Sequence, residues 1–116
     1  MRIQVEGQQP LSGIYRPSGS VNAALPALAA ALLTDQPVTL RRVPQSKTFS
    51  ALLQLAQRLG AQIHWSAPDA LSVQNGGLLK RMLTVEDTQS SVGSVLFLAP
   101  LLVQRHHVRF EVDFPL

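Results

Sequence analysis

The side chains that could perform acid–base chemistry or hold a metal are few in this sequence and poorly spaced for either task. His106 and His107 are adjacent, so on a strand they would point to opposite faces and could not share one metal ion. His64 lies far from them in the sequence. Glu86 and Asp87 precede a helix expected to start at 88–90, where carboxylates suit the helix dipole. We expect no metal site and no catalytic pair among these residues.

A short turn at Pro17–Ser20 leads into an apolar segment. The turn is too short for a phosphate-binding loop and lacks its lysine, and the sequence contains no dinucleotide-binding fingerprint. Ser20 or Asn22 can cap the helix that follows. Backbone amides at that helix start would attract an anion only weakly.

Composition excludes several classes of function. The 116 residues include no cysteine, which rules out disulfides, thiolate zinc sites and a cysteine nucleophile within them. The formal net charge is +3, the cations are scattered and aromatic residues make up 5%, so we expect no nucleic-acid partner. The apolar run 23–33 is about half of a membrane span, and residues 1–9 do not resemble a signal peptide. These features predict a soluble cytoplasmic domain without a membrane partner.

Hydrophobic patterning in residues 1–77 predicts alternating strands and helices. Period-two alternation indicates strands over 2–7 and 11–16, and the apolar spacing from Leu25 to Leu33 indicates a helix. A strand at 38–43 is followed by a helix that Ser46 caps and Gly60 ends. Two short runs, 61–66 and 70–74, flank a turn and predict a hairpin. The order from residue 11 is strand, helix, strand, helix, strand, strand.

Residues 78–116 repeat the first half of that order. After the loop 75–77, the pattern predicts a strand over 79–85, an apolar helix over 90–103 and a strand over 107–112. The fold class is therefore α/β, with one strand-helix-strand-helix-strand-strand unit and half of a second. We expect a single domain, in which residues 1–77 form the first unit with its leading strand and residues 78–116 an incomplete second unit.

The segment Ser18–Pro26, with the letters Ser-Gly-Ser-Val-Asn-Ala-Ala-Leu-Pro, resembles a strand-to-helix turn of the enolpyruvyl transferases. Sugar-nucleotide members typically read Ser-Gly-Ala-Lys-Asn-Ala-Ala-Leu-Pro there. Further matches in order and spacing fall at 29–33, 43–44, 55–61 and 99–103. The resemblance covers nearly the whole chain and identifies it with the N-terminal part of that family. It implies the inside-out α/β barrel of the family, of which this sequence holds a partial domain.

The resemblance also implies an activity, which is transfer of the enolpyruvyl group of phosphoenolpyruvate to UDP-N-acetylglucosamine in peptidoglycan synthesis, without a cofactor. Three departures count against catalysis. The family's turn lysine is Val21 here, its helix-start arginine falls on Val92 while Ser94 keeps a serine, and the loop bearing the general acid lies past 114–116. Asn22 is the family's substrate ligand that is still in place, although its alternative role is to cap the helix.

The sequence therefore predicts an enolpyruvyl transferase-like protein whose 116 residues do not catalyse the transfer by themselves. The alternative is a non-catalytic paralogue that binds a ligand or a protein partner. A sister reaction on shikimate 3-phosphate is disfavoured by the Asn-Ala-Ala-Leu-Pro letters at 22–26. The helix over 90–103 is apolar almost all round, so we expect a homo-oligomer formed through it and the strand 107–112, or association with the remainder of the enzyme.

Overall fold

A three-stranded antiparallel sheet and two helices form the first part of the chain in the computed structural model, which describes residues 1–77, 82–89 and 91–113. The elements in chain order are α1 (Val21–Ala31), β1 (Val38–Arg41), α2 (Lys47–Leu59), β2 (Ala61–Ala67) and β3 (Ala70–Asn75). The strand order is β1-β3-β2, so β1 and β2 are the edges. The mixed α/β class predicted from the sequence is confirmed.

Helix α2 forms where its local signals predict. The Ser46 Oγ accepts a hydrogen bond from the Phe49 backbone N–H at 3.1 Å, and Gly60 ends the helix with a φ of 115°. A left-handed residue at that position favours glycine, which has no Cβ to clash. The face that α2 buries carries six apolar side chains: Phe49, Leu52, Leu53, Leu55, Ala56 and Leu59.

The hairpin of β2 and β3 is also confirmed, with a two-residue turn at Pro68–Asp69. Its register places Ile63 opposite Val73 and Gln62 opposite Gln74, and an irregularity falls between Trp65 and Ala67. Strand β1 pairs with the other side of β3, which is therefore the central strand. Leu71 and Val73 of β3 are fully buried, as expected for a central strand packed against helices.

The predicted strands over 2–7 and 11–16 are wrong. Residues 1–20 contain no helix or strand, and their apolar side chains are exposed, with Ile3 at 75%, Leu11 at 95% and Ile14 at 93%. The apolar–polar alternation is present in the sequence, but a β-strand also needs a hydrogen-bonded neighbouring strand. None of the described strands pairs with this segment.

The second part of the chain is shorter in regular structure than predicted. Its elements are β4 (Met82–Leu83), α3 (Val85–Thr88), a 3₁₀ helix (Val92–Phe97), α4 (Leu98–Arg105) and β5 (Arg109–Phe110), with β4 and β5 parallel. The strand predicted over 79–85 ends early, because Thr84 caps α3. The predicted helix 90–103 starts as 3₁₀ and continues to Arg105, and Ser90 and 78–81 lie outside the described residues.

One hydrophobic core joins the two parts. It contains Leu28 of α1, the buried face of α2, Leu83 of β4, Phe97 at the end of the 3₁₀ helix and Leu101 of α4. The Leu32 carbonyl at the end of α1 accepts hydrogen bonds from Asn75 Nδ2 at 2.9 Å and from Gln104 Nε2 at 3.0 Å. The last turn of a helix leaves carbonyls without intrahelical partners, and these two amides satisfy one of them.

Candidate substrate-binding turn

The turn before α1 lies directly against the end of β1. A Cβ added to Gly19 would come within 1.6 Å of the Arg42 carbonyl oxygen and 2.8 Å of its carbonyl carbon. Only glycine allows so close an approach of two backbones. Arg42 itself has a φ of 57°, which is uncommon for a residue with a side chain. Gly19 therefore fixes where α1 begins relative to the sheet.

Ser20 caps α1, and Asn22 does not. The Ser20 Oγ accepts a hydrogen bond from the Ala23 backbone N–H at 3.4 Å, and Asn22 lies inside the first turn of the helix. The interpretation of Asn22 as a cap is therefore wrong, because a cap side chain must precede the first helical residue. The Asn22 side chain is exposed and forms no hydrogen bond with another described residue.

The 3₁₀ helix brings a second element start next to α1. Ser91 caps it by accepting from the Gly93 backbone N–H at 3.1 Å, and a Cβ on Gly93 would lie 3.8 Å from Leu25 Cδ1 of α1. Val92 is 66% exposed at this start, and Val21 is half-buried at the start of α1. The fold thus packs together the two elements whose starts carry Val21 and Val92, and both positions are apolar.

Ser94 lies one turn inside the 3₁₀ helix and is fully buried. Its Oγ has no hydrogen-bond partner among the described residues. A buried hydroxyl of this kind costs free energy unless it is paired. Ser94 is therefore not positioned to reach a ligand from the surface in this structure.

Asp87 of the acidic pair stabilises a helix start. Helix α3 starts at Val85, not at 88–90, so Glu86 and Asp87 lie in its first turn. Asp87 and Thr84 form a capping box, in which the Thr84 backbone N–H donates to Asp87 Oδ2 at 3.2 Å. The Arg58 Nε lies 3.7 Å from Asp87 Oδ1. Asp87 is held by these groups in the interior and stabilises the helix start.

The histidines are separated in the structure as well. His64 lies on β2 and is exposed, His106 ends α4 with a φ of 64°, and His107 precedes β5, so neither of the adjacent histidines lies on a strand. Among the described residues, no three histidine, aspartate or glutamate side chains form a group that could hold a metal ion. Within the same residues, every helix is too short or too polar to span a bilayer.

The open surface beside the turn is a groove that the sequence did not predict. It has a volume of about 590 Å³ and lies between α1 and β1, with Ala23, Ala24 and Ala27 on the helix side and Thr39 and Leu40 on the strand side. We call this surface the α1–β1 groove. Arg41 and Arg42 also line it, and Arg42 lies at the end beside Gly19. The two walls are 12 or more residues apart in sequence, so no local pattern could have revealed it.

Comparison with known proteins agrees with the Ser-Gly-x-x-Asn-Ala-Ala-Leu-Pro turn described above. The sequence model of the EPSP synthase (3-phosphoshikimate 1-carboxyvinyltransferase) family matches residues 5–115. The chain belongs to this enolpyruvyl transferase family.

Within this family, the chain is similar to proteins named UDP-N-acetylglucosamine 1-carboxyvinyltransferase. The UDP-N-acetylglucosamine 1-carboxyvinyltransferase of Bradyrhizobium diazoefficiens is 39% identical over 100 residues, which are 86% of this chain and 23% of that protein. The protein of the same name from Helicobacter pylori strain Shi470 is 36% identical over 102 residues, covering 88% and 24%. The chain thus spans about a quarter of the length of the curated relatives it matches.

Proposed function

We propose that this chain supplies the sugar-nucleotide-binding turn of an enolpyruvyl transferase and that its 116 residues do not catalyse the transfer by themselves. The reaction in question moves the enolpyruvyl group of phosphoenolpyruvate to UDP-N-acetylglucosamine. The proposal is supported by the packing of the 3₁₀ helix against α1, seen at Gly93 and Leu25, because these two elements carry the valines Val92 and Val21 at the positions where the family resemblance implies cations.

The chemistry explains why these two positions matter. Phosphoenolpyruvate carries a phosphate and a carboxylate, and fixed cations must hold both while charge develops in the transition state. A general acid must also protonate the methylene carbon of the substrate. A valine offers neither a charge nor a hydrogen bond, so the α1 and 3₁₀ starts can contribute shape but no electrostatic stabilisation.

Asn22 is the residue we assign to the sugar nucleotide. Its side-chain amide has both donors and an acceptor, is exposed, and has no described partner that would compete with a ligand. Because Ser20 already caps α1, the capping role no longer accounts for an asparagine at this position. An amide can hydrogen-bond the hydroxyl or acetamido groups of a sugar without contributing charge.

Calorimetric titration with UDP-N-acetylglucosamine tests this assignment. We expect the wild-type chain to bind and Asn22→Ala to bind at least tenfold more weakly, with its free energy of unfolding within about 0.5 kcal/mol of the wild type, as for an exposed residue. Gln57→Ala, which removes an exposed amide from α2, is the matched control and should leave binding unchanged. Equal binding by wild type and Asn22→Ala would overturn the role of Asn22.

Phosphate release from phosphoenolpyruvate tests the second half of the proposal. We expect none above background with the sugar nucleotide present, and Val21→Lys should not restore it, because the general acid is not among these residues. Release that depends on UDP-N-acetylglucosamine would contradict the proposal directly.

A non-catalytic paralogue is the second candidate, and the same two valines favour it. Such a protein would use the turn to bind a ligand or a protein partner without turnover. The two candidates separate when the chain is combined with the remaining part of a related transferase. Turnover in the combination supports the transferase, whereas binding of the sugar nucleotide without turnover supports the paralogue.

The remaining expectations from the resemblance belong to the same proposal. We infer a fold completed as the inside-out α/β barrel, with residues 1–77 as a first unit and residues 78–116 as part of a second, acting in the cytoplasm in peptidoglycan synthesis. Val92, Val95, Leu102 and Val103 leave an apolar surface on the 3₁₀ helix and α4, with Val103 at 62% exposure. We propose that this α4 surface is covered by a second copy or by the remainder of the transferase.

A further inference from the structure

The 3₁₀ helix Val92–Phe97 is long for its kind and runs directly into α4. Runs of more than three or four residues are uncommon, because the hydrogen bonds of a 3₁₀ helix have poorer geometry than those of an α-helix. The Ser94 backbone N–H donates to the Ser91 carbonyl and the Leu98 N–H to the Val95 carbonyl, each three residues back. A 3₁₀ stretch of this kind within a longer helical segment is typical of a hinge or of a sequence under strain.

The 3₁₀ form leaves a buried polar atom unpaired. Ser94 is fully buried, and its Oγ has no hydrogen-bond partner among the described residues. In an α-helix, a serine hydroxyl can donate to a backbone carbonyl three or four residues back. For Ser94, the carbonyl three residues back is that of Ser91. An α-helical form of the segment would therefore remove a free-energy cost that the 3₁₀ form carries.

Pro100 acts in the opposite direction. It is the third residue of α4, in the first turn, where backbone N–H groups have no partner within the helix. If α4 continued backwards through the 3₁₀ segment, Pro100 would lie in a helix interior. It would then remove the hydrogen bond to the Leu96 carbonyl, and its ring would crowd that carbonyl. Each form therefore carries a cost that the other form avoids.

The buried face of the segment is compatible with both forms. Ser94, Phe97 and Leu101 are fully buried, and they follow one another at intervals of three and four residues. Such intervals place side chains on one face of an α-helix. The interval of three also aligns Ser94 with Phe97 in a 3₁₀ helix. A change of form thus leaves these three side chains in the core.

We propose that residues 92–97 interconvert between 3₁₀ and α-helix and that this change repositions the start of the segment relative to α4. A 3₁₀ helix turns about 120° and rises about 2.0 Å per residue, against about 100° and about 1.5 Å for an α-helix. Over the six residues, the difference amounts to about 120° of rotation and about 3 Å of length. Val92 lies at the far end and is 66% exposed, so a group that contacts it meets a different surface in each form and selects one of them. This interconversion does not depend on sugar-nucleotide binding.

Two substitutions shift the balance in opposite directions. Gly93→Ala places a Cβ 3.1 Å from the Ser91 Oγ, which caps the 3₁₀ start, and alanine is a better α-helix former than glycine. Ser94→Ala removes the hydroxyl that is unpaired in the 3₁₀ form and can pair in the α form. We therefore expect Gly93→Ala to raise the ratio of α to 3₁₀ form roughly fivefold, and Ser94→Ala to lower it by a similar factor.

Nuclear magnetic resonance of the 116-residue chain separates the two forms. Overhauser contacts from the Hα of one residue to the amide hydrogen four residues further on report an α-helix, and those to the amide two residues further on report a 3₁₀ helix. In the wild type we expect both sets of contacts across residues 92–97. Relaxation dispersion should show microsecond-to-millisecond exchange confined to the same residues.

Val103→Ala is the matched control, because it raises helix propensity at an exposed α4 position outside the segment. It should leave the ratio of the two forms unchanged. The same single form in the wild type, Gly93→Ala and Ser94→Ala overturns the proposal. A ratio that the last two variants move in the same direction, or that Val103→Ala moves as far as they do, overturns it as well.

Discussion

Replacing Asn75 should destabilise the fold more than any nearby polar substitution. Asn75 is the last residue of β3 and is 8% exposed. Its Nδ2 donates to the Leu32 carbonyl at 2.9 Å, and its Oδ1 accepts from the Gly77 backbone N–H at 3.0 Å. The side chain therefore ties the end of α1 to the loop after the sheet.

The magnitude follows from these two bonds. A net contribution of about 1 kcal/mol for each gives roughly 2 kcal/mol for Asn75→Ala. The Leu32 carbonyl keeps one donor in that variant, Gln104 Nε2, so it is not left unpaired. Gln104→Ala alone should cost about 0.5–1 kcal/mol. In the double variant the carbonyl loses both side-chain donors, and we expect the loss to exceed the sum of the single variants by about 1 kcal/mol.

Urea unfolding followed by circular dichroism measures these differences. Gln74→Ala, which removes an exposed amide from the preceding position, is the matched control and should cost less than about 0.5 kcal/mol. Asn75→Asp keeps the acceptor for Gly77 but turns an oxygen toward the Leu32 carbonyl, so it should be at least as destabilising as Asn75→Ala. An Asn75→Asp variant as stable as the wild type would show that the Asn75 amide does not hold the Leu32 carbonyl. Purely additive losses in the Asn75→Ala/Gln104→Ala double variant would show that the two donors do not share it.

Three further substitutions test other contacts by the same unfolding measurement. Gly19→Ala should cost more than about 2 kcal/mol because its Cβ would overlap the Arg42 carbonyl, while Gly7→Ala, with open space around it, should stay within about 0.5 kcal/mol. Ser20→Ala should cost about 0.5–1 kcal/mol through loss of the α1 cap, with a value near zero contradicting its capping role. Thr88→Val removes the hydroxyl that lies 2.8 Å from the Glu111 carbonyl, and a loss of about 1 kcal/mol is expected; no loss would show that this bond does not hold the segment after β5.

Local signals account for the elements that could be predicted from sequence. Helix α2 was predicted with its cap and its final glycine, because both signals lie within 15 residues of one another. The capping box of Thr84 and Asp87 corresponds to a Thr-x-x-Asp pattern, but the helix start was predicted at 88–90 instead. The alternating apolar run before it was nevertheless extended to residue 85, so the strand prediction overran a helix start.

Non-local features could not be predicted in the same way. The alternation of residues 2–7 and 11–16 specifies which side chains share a face but not whether a neighbouring strand exists, and here none of the described strands pairs with them. The Ser20 and Asn22 alternatives differed by two residues, which is within the usual uncertainty of a helix boundary. At the candidate site, the family resemblance pointed to Asn22, Val21 and Val92. The packing of the 3₁₀ helix against α1 could be seen only in the folded structure.

The hydrogen bonds to the Leu32 carbonyl also constrain the order in which parts of the chain can fold. Its two donors come from residues 43 and 72 positions further along the chain. On a ribosome, the end of α1 is synthesised well before either amide, so its final hydrogen bonds can form only after Gln104 has left the exit tunnel. Contacts this distant in sequence slow folding, because a long loop must close before they form. We expect α2 and the β2–β3 hairpin to acquire structure early, and the last carbonyls of α1 to stay hydrated until Gln104 has emerged.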